Sequence, residues 1–362
     1  MSRLTAIYRI RSDARAIDAR ARSIAVEQSV EMPVDAIDDP AVLADIVGQV
    51  EQIVDLGQDV FEVRVGLAVA TTGSEPGQLL NMLYGNSSIH DDVTLWDAEF
   101  PDDLLHAFPG PNRGLDGLRH RVGAAGRAMT CSALKPQGLP PATLAGIALR
   151  LAEGGIDFIK DDHGLADQAY SPFARRVAAV QAALRKSGRK TCYLPSLSGS
   201  LDQMVAQVEQ ARNEGVDFVL LAPMIAGLAN FHALVRAYPT MGFMTHPAMA
   251  GASRIAPPLL LGKLFRLMGS DATVFPNHGG RFGYAPETCR ALAEACRRPY
   301  AGRRPSVPVP AGGMTAERID EMLAFYGPDT MLLIGGGLLQ ARDRLAEAAA
   351  AFTRRVAQAG HD

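Results

Sequence analysis

The chain has 362 residues, 48% of them hydrophobic and 21% charged, with a formal net charge of −3. That apolar content excludes a disordered chain, and the slightly acidic balance excludes the basic footprint of a general nucleic-acid binder. No run approaches the roughly 18 apolar residues of a membrane span, and the N-terminus, MSRLTAIYRIRSDARAIDARARS, lacks the apolar core of a signal peptide. A cytoplasmic chain of about two domains, with no membrane and no nucleic-acid partner, is expected.

Residues 1–117 mix two periodicities. LTAIYRIR and DVFEVRVGLAVAT read as strands, PAVLADIVGQVEQIVDLG and GQLLNMLYG as helices. The mixture predicts a small α+β domain of ferredoxin-like kind, and FPDDLLHAFPGPNRGLDGL, rich in Pro and Gly, reads as its connector to the next domain. Over 118–362 the rhythm is regular. Eight apolar runs (AMTCSALK, DFIKDD, TCYLPSL, DFVLLAP, GFMTHP, TVFPN, SVPVPAGG, TMLLIGGG) start about 29 residues apart, with amphipathic stretches between them. Several of those stretches end in glycine, as helices do. Eight strands alternating with helices predict a (β/α)8 barrel, the TIM-barrel fold, in preference to an open doubly wound sheet. RDRLAEAAAAFTRRVAQ supplies a closing helix. Cys131, Cys192, Cys289 and Cys296 lack zinc spacing and read as buried structural thiols, the last two on one helix face.

Barrel chemistry sits at the C-terminal ends of the strands. Those ends carry Lys135, then Lys160, Asp161, Asp162 and His163, then His246, and Asn277, His278 and Arg281 after strand 6. Only five of the 36 basic residues are lysine, so a lysine inside an apolar strand stands out. Period-two alternation puts Phe158, Lys160 and Asp162 on one side of strand 2 and Asp161 on the other. A lysine and a carboxylate in a barrel mouth need a partner or a metal. A Lys160–Asp162 ion pair is the plain reading. A divalent-cation site is the sharper one, with Asp162 an oxygen ligand, His163 a nitrogen ligand and a carbamate on Lys160 a further oxygen ligand. Gly312–Gly313 after strand 7 and Gly335–Gly336–Gly337 after strand 8 allow backbone amides to approach an anion, so these loops are read as a phosphate site.

GGIDFIKDD resembles the signature of the ribulose-bisphosphate carboxylase (RuBisCO) large-chain family, and the resemblance covers most of the chain. It implies a carbamylated Lys160 that binds magnesium. ALKP matches the family's strand-1 motif and implies proton transfer by Lys135. VEQS implicates Glu27, YGN implicates Asn86, and His246 fits the strand-5 histidine. The resemblance further implies a homodimer in which Glu27 and Asn86 complete the partner's site. Three departures matter. His163 stands where the family has a second metal carboxylate, and Pro247 where an arginine holds one phosphate. No lysine follows Lys263, so the mobile lysine needed for carboxylation is missing, and Arg281 is no equivalent of it. Carboxylation of ribulose bisphosphate is excluded on that ground.

One phosphate site kept and one lost imply a monophosphate with a less charged far end. KDDHG, THPAMAG, FPNHGGRFGY and VPVPAGGM resemble the RuBisCO-like branch that isomerises 5-methylthioribulose 1-phosphate to a methylthioxylulose 5-phosphate in methionine (sulfur) salvage. The expected catalytic set is Lys135, Lys160, His246, Glu27 and Asn86, with Asn277 and Arg281 on the substrate. Three alternatives stand beside it: enolisation of a diketo-methylthiopentyl phosphate, decarboxylation or hydrolysis of a 3-oxo sugar-acid phosphate, and a non-catalytic binding protein.

Overall fold

The structure is a computed structural model and describes residues 1–359. The last three residues of the expected 118–362 domain lie outside the described residues. The chain divides into two compact units. Met1–Pro109 and Ala250–Leu260 form the first; Gly110–Met249 and the residues from Leu261 onward form the second. The division at Pro109/Gly110 falls before the expected 117/118 because the helix Gly114–Val122 spans that point. Two amides at the start of that helix, those of Arg113 and Gly114, donate to Oδ1 of buried Asp271 at 2.6 and 2.7 Å, and Phe243 N–H donates to Oδ2 at 2.7 Å.

The first unit is a four-stranded antiparallel sheet built from β1 (Arg3–Arg11), β2 (Gln49–Asp55), β3 (Val60–Ala68) and β4 (Val93–Glu99), in the order β2-β3-β1-β4. Helices Ile17–Glu27 and Pro76–Tyr84 complete the β-α-β-β-α-β order of a ferredoxin-like fold. One expectation fails here. The stretch read as a helix, PAVLADIVGQVEQIVDLG, is a helical turn over Val42–Ile46 followed by β2. Val47, Val50, Ile53 and Val54 are β-branched and fit an edge strand as well as a helical face, and pairing with β3 decides. Gly57, Gln58 and Asp59 make the hairpin turn with φ of 82°, 55° and 57°.

In the second unit all eight expected strands form. They are β5 (Met129–Leu134), β6 (Phe158–Asp161), β7 (Cys192–Leu194), β8 (Phe218–Leu221), β9 (Gly242–Thr245), β10 (Ala272–Pro276), β11 (Val307–Ala311) and β12 (Met331–Leu333). Helices such as Pro141–Glu153, Phe173–Ser187 and Leu201–Asn213 alternate with them. Every strand contributes to one interior cluster at period two: Met129 and Cys131, Cys192 and Leu194, Val307 and Val309 among them. Leu115, Leu118 and Val122 of the helix Gly114–Val122 belong to the same cluster. This is the packed interior of a TIM barrel. The ladders form two four-stranded parallel sheets, β12-β5-β6-β7 and β11-β10-β9-β8. The break between β11 and β12 has a cause in the sequence. Val307 N–H donates to Asp271 on the β10 side, so Pro308 and Pro310 turn to the β12 side with no N–H to give. All four cysteines are buried free thiols.

Candidate active site

β5 and β6 run in parallel register, Ala133 beside Lys160 and Leu134 beside Asp161. Phe158 points into the barrel core, and Lys160, two residues on, lies on the same side at its upper end. Asp161 faces the other way. Its carboxylate accepts hydrogen bonds from Arg176 Nε at 3.0 Å, Tyr193 OH at 2.7 Å and Ser196 N–H at 3.0 Å. Asp161 and Arg176 are fully buried, and their pair anchors the main chain at Lys160.

Lys160 is 4% exposed, and its Nζ donates to the Asp161 carbonyl at 2.8 Å. Burial lowers its pKa to about 8, and the charge of Lys135 acts in the same direction. Lys135, less buried, has its pKa lowered by burial and by Arg281. The ammonium of Lys135 pairs with Asp162 Oδ2. Asp162 Oδ1 accepts from Gly164 N–H at 3.0 Å and lies 3.1 Å from His163 Nδ1. The ion pair therefore runs from Asp162 to the neighbouring strand's lysine rather than to Lys160, whose amine is held by a backbone carbonyl.

The His163 and His246 rings stack with centroids 4.2 Å apart and planes 5° from parallel. His246 Nδ1 accepts the Ala248 N–H at 3.2 Å, which leaves the ring proton on Nε2. Burial, then the charges of Lys160, His163 and Lys135, pushes its pKa down to about 2, so this imidazole is neutral throughout the working range. The pKa of His163 is lowered for the same reasons, burial first.

Among the described residues no three His, Cys, Asp or Glu side chains gather as a metal site. The one carboxylate turned toward this cluster, Asp162, already faces an ammonium. The donor set suits a cation only with Lys160 converted to a carbamate, and its buried, weakly basic amine is suited to that conversion. With that change the site offers carbamate oxygens, Asp162 and His163.

Gly312 and Gly313 take φ of 85° and 104°, a region other residues avoid. A Cβ on Gly280 would lie 2.2 Å from the Gly312 carbonyl oxygen, so glycine is required for the loops after β10 and β11 to touch. Arg281 N–H donates to that same carbonyl at 2.8 Å. Gly335 precedes the one-turn helix Gly336–Leu339, whose first amides have no intrahelical acceptor. The space over Gly336 is open.

Asn277 is corrected by the structure. Its side chain is buried behind the mouth, with Oδ1 accepting Tyr326 OH at 2.5 Å and Nδ2 against the sulfurs of Met314 and Met322. A residue in the turn after β10 can point either way, and this one packs under the loop. In the first unit, Asn86 Nδ2 donates to Glu27 Oε1 at 2.8 Å and to Glu31 Oε1 at 3.1 Å, which brings together the two residues singled out there. Sequence reasoning missed Glu31, Arg176 and Tyr193. Arg176 left a trace, since it lies on the apolar stripe Phe173, Val177, Val180, Leu184 of its helix. An open depression of 660 Å3 near Gly126, Ala128, Asp320 and Arg355 lies at the other end of the strands and gathers none of these groups.

The family described as "Ribulose bisphosphate carboxylase large chain, catalytic domain" matches residues 114–361. A 5-methylthioribulose-1-phosphate isomerase of Rhodospirillum rubrum is 60% identical over 99% of this chain and 97% of its own. A 2,3-diketo-5-methylthiopentyl-1-phosphate enolase of Geobacillus kaustophilus is 32% identical over 76% of this chain and 70% of its own. The crystal structure of a Rubisco-like protein from Rhodopseudomonas palustris superposes with a TM-score of 0.93 at 53% identity, covering 99% of this chain and 98% of that one. By its barrel, its strand-end residues and these relatives, the chain belongs to the RuBisCO large-chain family, within its RuBisCO-like branch.

Proposed function

We propose that this protein isomerises a phosphorylated ketose by enolisation, converting 5-methylthioribulose 1-phosphate to a methylthioxylulose 5-phosphate in methylthioadenosine and methionine salvage. The observation that carries the reading is the Lys135–Asp162 pair set beside the uncharged His246 ring at the C-terminal ends of the barrel strands. The 60% identity to the Rhodospirillum rubrum isomerase supports the choice of substrate.

The conversion moves a carbonyl from the carbon beside the phosphate-bearing end to the carbon beside the methylthio-bearing end. That takes two successive 1,2-shifts. In each, a base removes the proton next to the carbonyl, and a proton returns to the former carbonyl carbon. Lys135 is placed for this transfer, with its basicity reduced and Asp162 available to stabilise its charged form. The Nε2–H of His246 donates to the oxygen that gains charge in the enediolate. The Gly312–Gly313 and Gly335–Gly336 loops hold the phosphate, and Arg281 closes over the substrate from the loop after β10. Magnesium held by the Lys160 carbamate, Asp162 and His163 would supply further stabilisation of that charge. Glu27 and Asn86 serve the barrel of a second copy in a homodimer.

Incubation with 5-methylthioribulose 1-phosphate in deuterium oxide, followed by NMR, tests the reading. Deuterium enters the carbon skeleton as the methylthioxylulose 5-phosphate accumulates. Turnover of a diketo-methylthiopentyl phosphate alone would instead select the enolase reading. Carbon dioxide release from a 3-oxo sugar-acid phosphate would select the decarboxylase.

A further inference from the structure

Among the described residues of the first unit, the buried polar side chains other than tyrosine are those of Gln28, Thr72 and Ser87, exposed by 3%, 0% and 0%. Two of these residues are bonded to each other. Gln28 Oε1 accepts the Ser87 N–H at 3.1 Å, while Gln28 Nε2 donates to the carbonyls of Asn81 at 3.1 Å and Met82 at 2.9 Å. Gln28 follows the last residue of the helix Ile17–Glu27. The two carbonyls lie in the last turn of the helix Pro76–Tyr84, where intrahelical donors run out. One amide group thus ties the C-terminal ends of both helices to the helical turn Asn86–Ile89.

Its place in the chain gives this clamp a second role beside capping. Gln28 is the neighbour of Glu27, and Ser87 is the neighbour of Asn86. The Glu27–Asn86 hydrogen bond is exposed, so it competes with water, and its Nδ2 is shared with the like-charged Glu31. One residue along each segment, the Gln28–Ser87 bond makes the same connection in the interior, where water does not compete. A buried amide is costly unless its bonds are made. Here they are made to the segment that carries Asn86, from the residue beside Glu27.

We infer that Gln28 is a positioning residue, whose buried amide fixes the separation of the Glu27 carboxylate from the Asn86 amide and so the geometry the pair presents to substrate. The inference rests on the reading that places Glu27 and Asn86 in the reaction. Gln28 itself, buried in the first unit, touches no substrate and moves no proton.

Gln28→Met keeps the length of the side chain and removes its hydrogen bonds. Gln28→Glu keeps an oxygen for the Ser87 N–H and serves the same measurements should the methionine variant not fold. With 5-methylthioribulose 1-phosphate, Gln28→Met is expected to lower kcat about tenfold and to change KM less. Mixed dimers separate positioning from a general loss of structure. Beside a Lys135→Ala copy, a Gln28→Met copy supplies an unaltered barrel, which the unaltered first unit of the other copy completes. Such dimers should regain the rate of one intact site in two, as dimers of Glu27→Ala with Lys135→Ala should. A crystal structure of Gln28→Met should show Asn86 Nδ2 out of hydrogen-bond reach of Glu27 Oε1. An unchanged kcat, a retained Glu27–Asn86 bond, or Gln28→Met dimers that stay slow while Glu27→Ala dimers recover overturns the inference. If neither kind of mixed dimer recovers, or the wild type converts nothing, the shared-site or isomerase reading fails instead. The broken contact in the crystal would then still assign the positioning of the pair to Gln28, and an intact one would overturn it.

Discussion

Lys160 shows how a single residue's surroundings set its chemistry. An unperturbed lysine is neutral at pH 7 in roughly three molecules per ten thousand, whereas one with a pKa near 8 is neutral in about a tenth. A carbamate forms only from the neutral amine. Activation by carbon dioxide should therefore rise with pH through about 8 and level off above it, well below the midpoint of an ordinary lysine. The check is initial rate against pH after preincubation with bicarbonate and magnesium. Lys160→Arg should not recover activity, because a guanidinium has no such chemistry. Full activity after chelation and removal of carbon dioxide would remove the carbamate and leave Lys160 an acid-base or structural residue, mostly an ammonium at pH 7. The sequence already showed that Lys160 shares a face with Asp162, since a period of two is enough for that. It did not show that Lys135 takes the carboxylate, because that contact joins two strands 27 residues apart in the chain. The misreading of Asn277 has a similar origin: beyond a strand's last residue, alternation gives no direction.

At the scale of elements, the barrel's strands were legible and one strand of the first unit, β2, was not. Strands buried on both sides are written as short apolar runs, and several helices between them stop at a glycine, as Pro141–Glu153 does at Gly154 and Phe173–Ser187 at Gly188. β2 is an edge strand with mostly exposed side chains, so its apolar residues are not forced to alternate and can imitate a helix. Elements are also joined by buried polar groups that propensity does not reveal. Asp271 ends three backbone amides at once, two before or at the start of the helix Gly114–Val122 and one on β9. Burial raises its carboxyl pKa to about 6, and those three amide bonds pull against that shift. Asp271→Ala would leave all three donors unpaired in the interior and should destabilise the protein by about 3 kcal/mol or more. Asp271→Asn keeps one good acceptor and should fall between, by about 1–2 kcal/mol. Urea unfolding read by near-ultraviolet circular dichroism orders the three proteins. An alanine variant as stable as the wild type would show that these amides find other acceptors.

The whole molecule is expected to work as a pair of copies. Glu27 and Asn86 are held together by a hydrogen bond in the first unit, while Lys135 and Lys160 belong to the second. If each site draws on both copies, Glu27→Ala and Lys135→Ala should each abolish activity alone. Co-expressed, they should recover up to about half of the wild-type rate per mixed dimer, since one of its two sites is then intact. Mixed dimers isolated with two different affinity tags and assayed with the methylthio ketose phosphate provide the measurement. Inactive mixed dimers would place Glu27 outside the shared site. One further property of the barrel follows from the prolines of β11. Without a ladder between β11 and β12, their mutual fit rests on side-chain packing and one Thr330 hydroxyl bond to the Pro308 carbonyl. Small sliding along that seam therefore breaks no backbone hydrogen bond. If the two glycine loops at its upper end hold an anion as proposed, that freedom should let them settle around it while the β10–β11 and β12–β5 ladders stay paired.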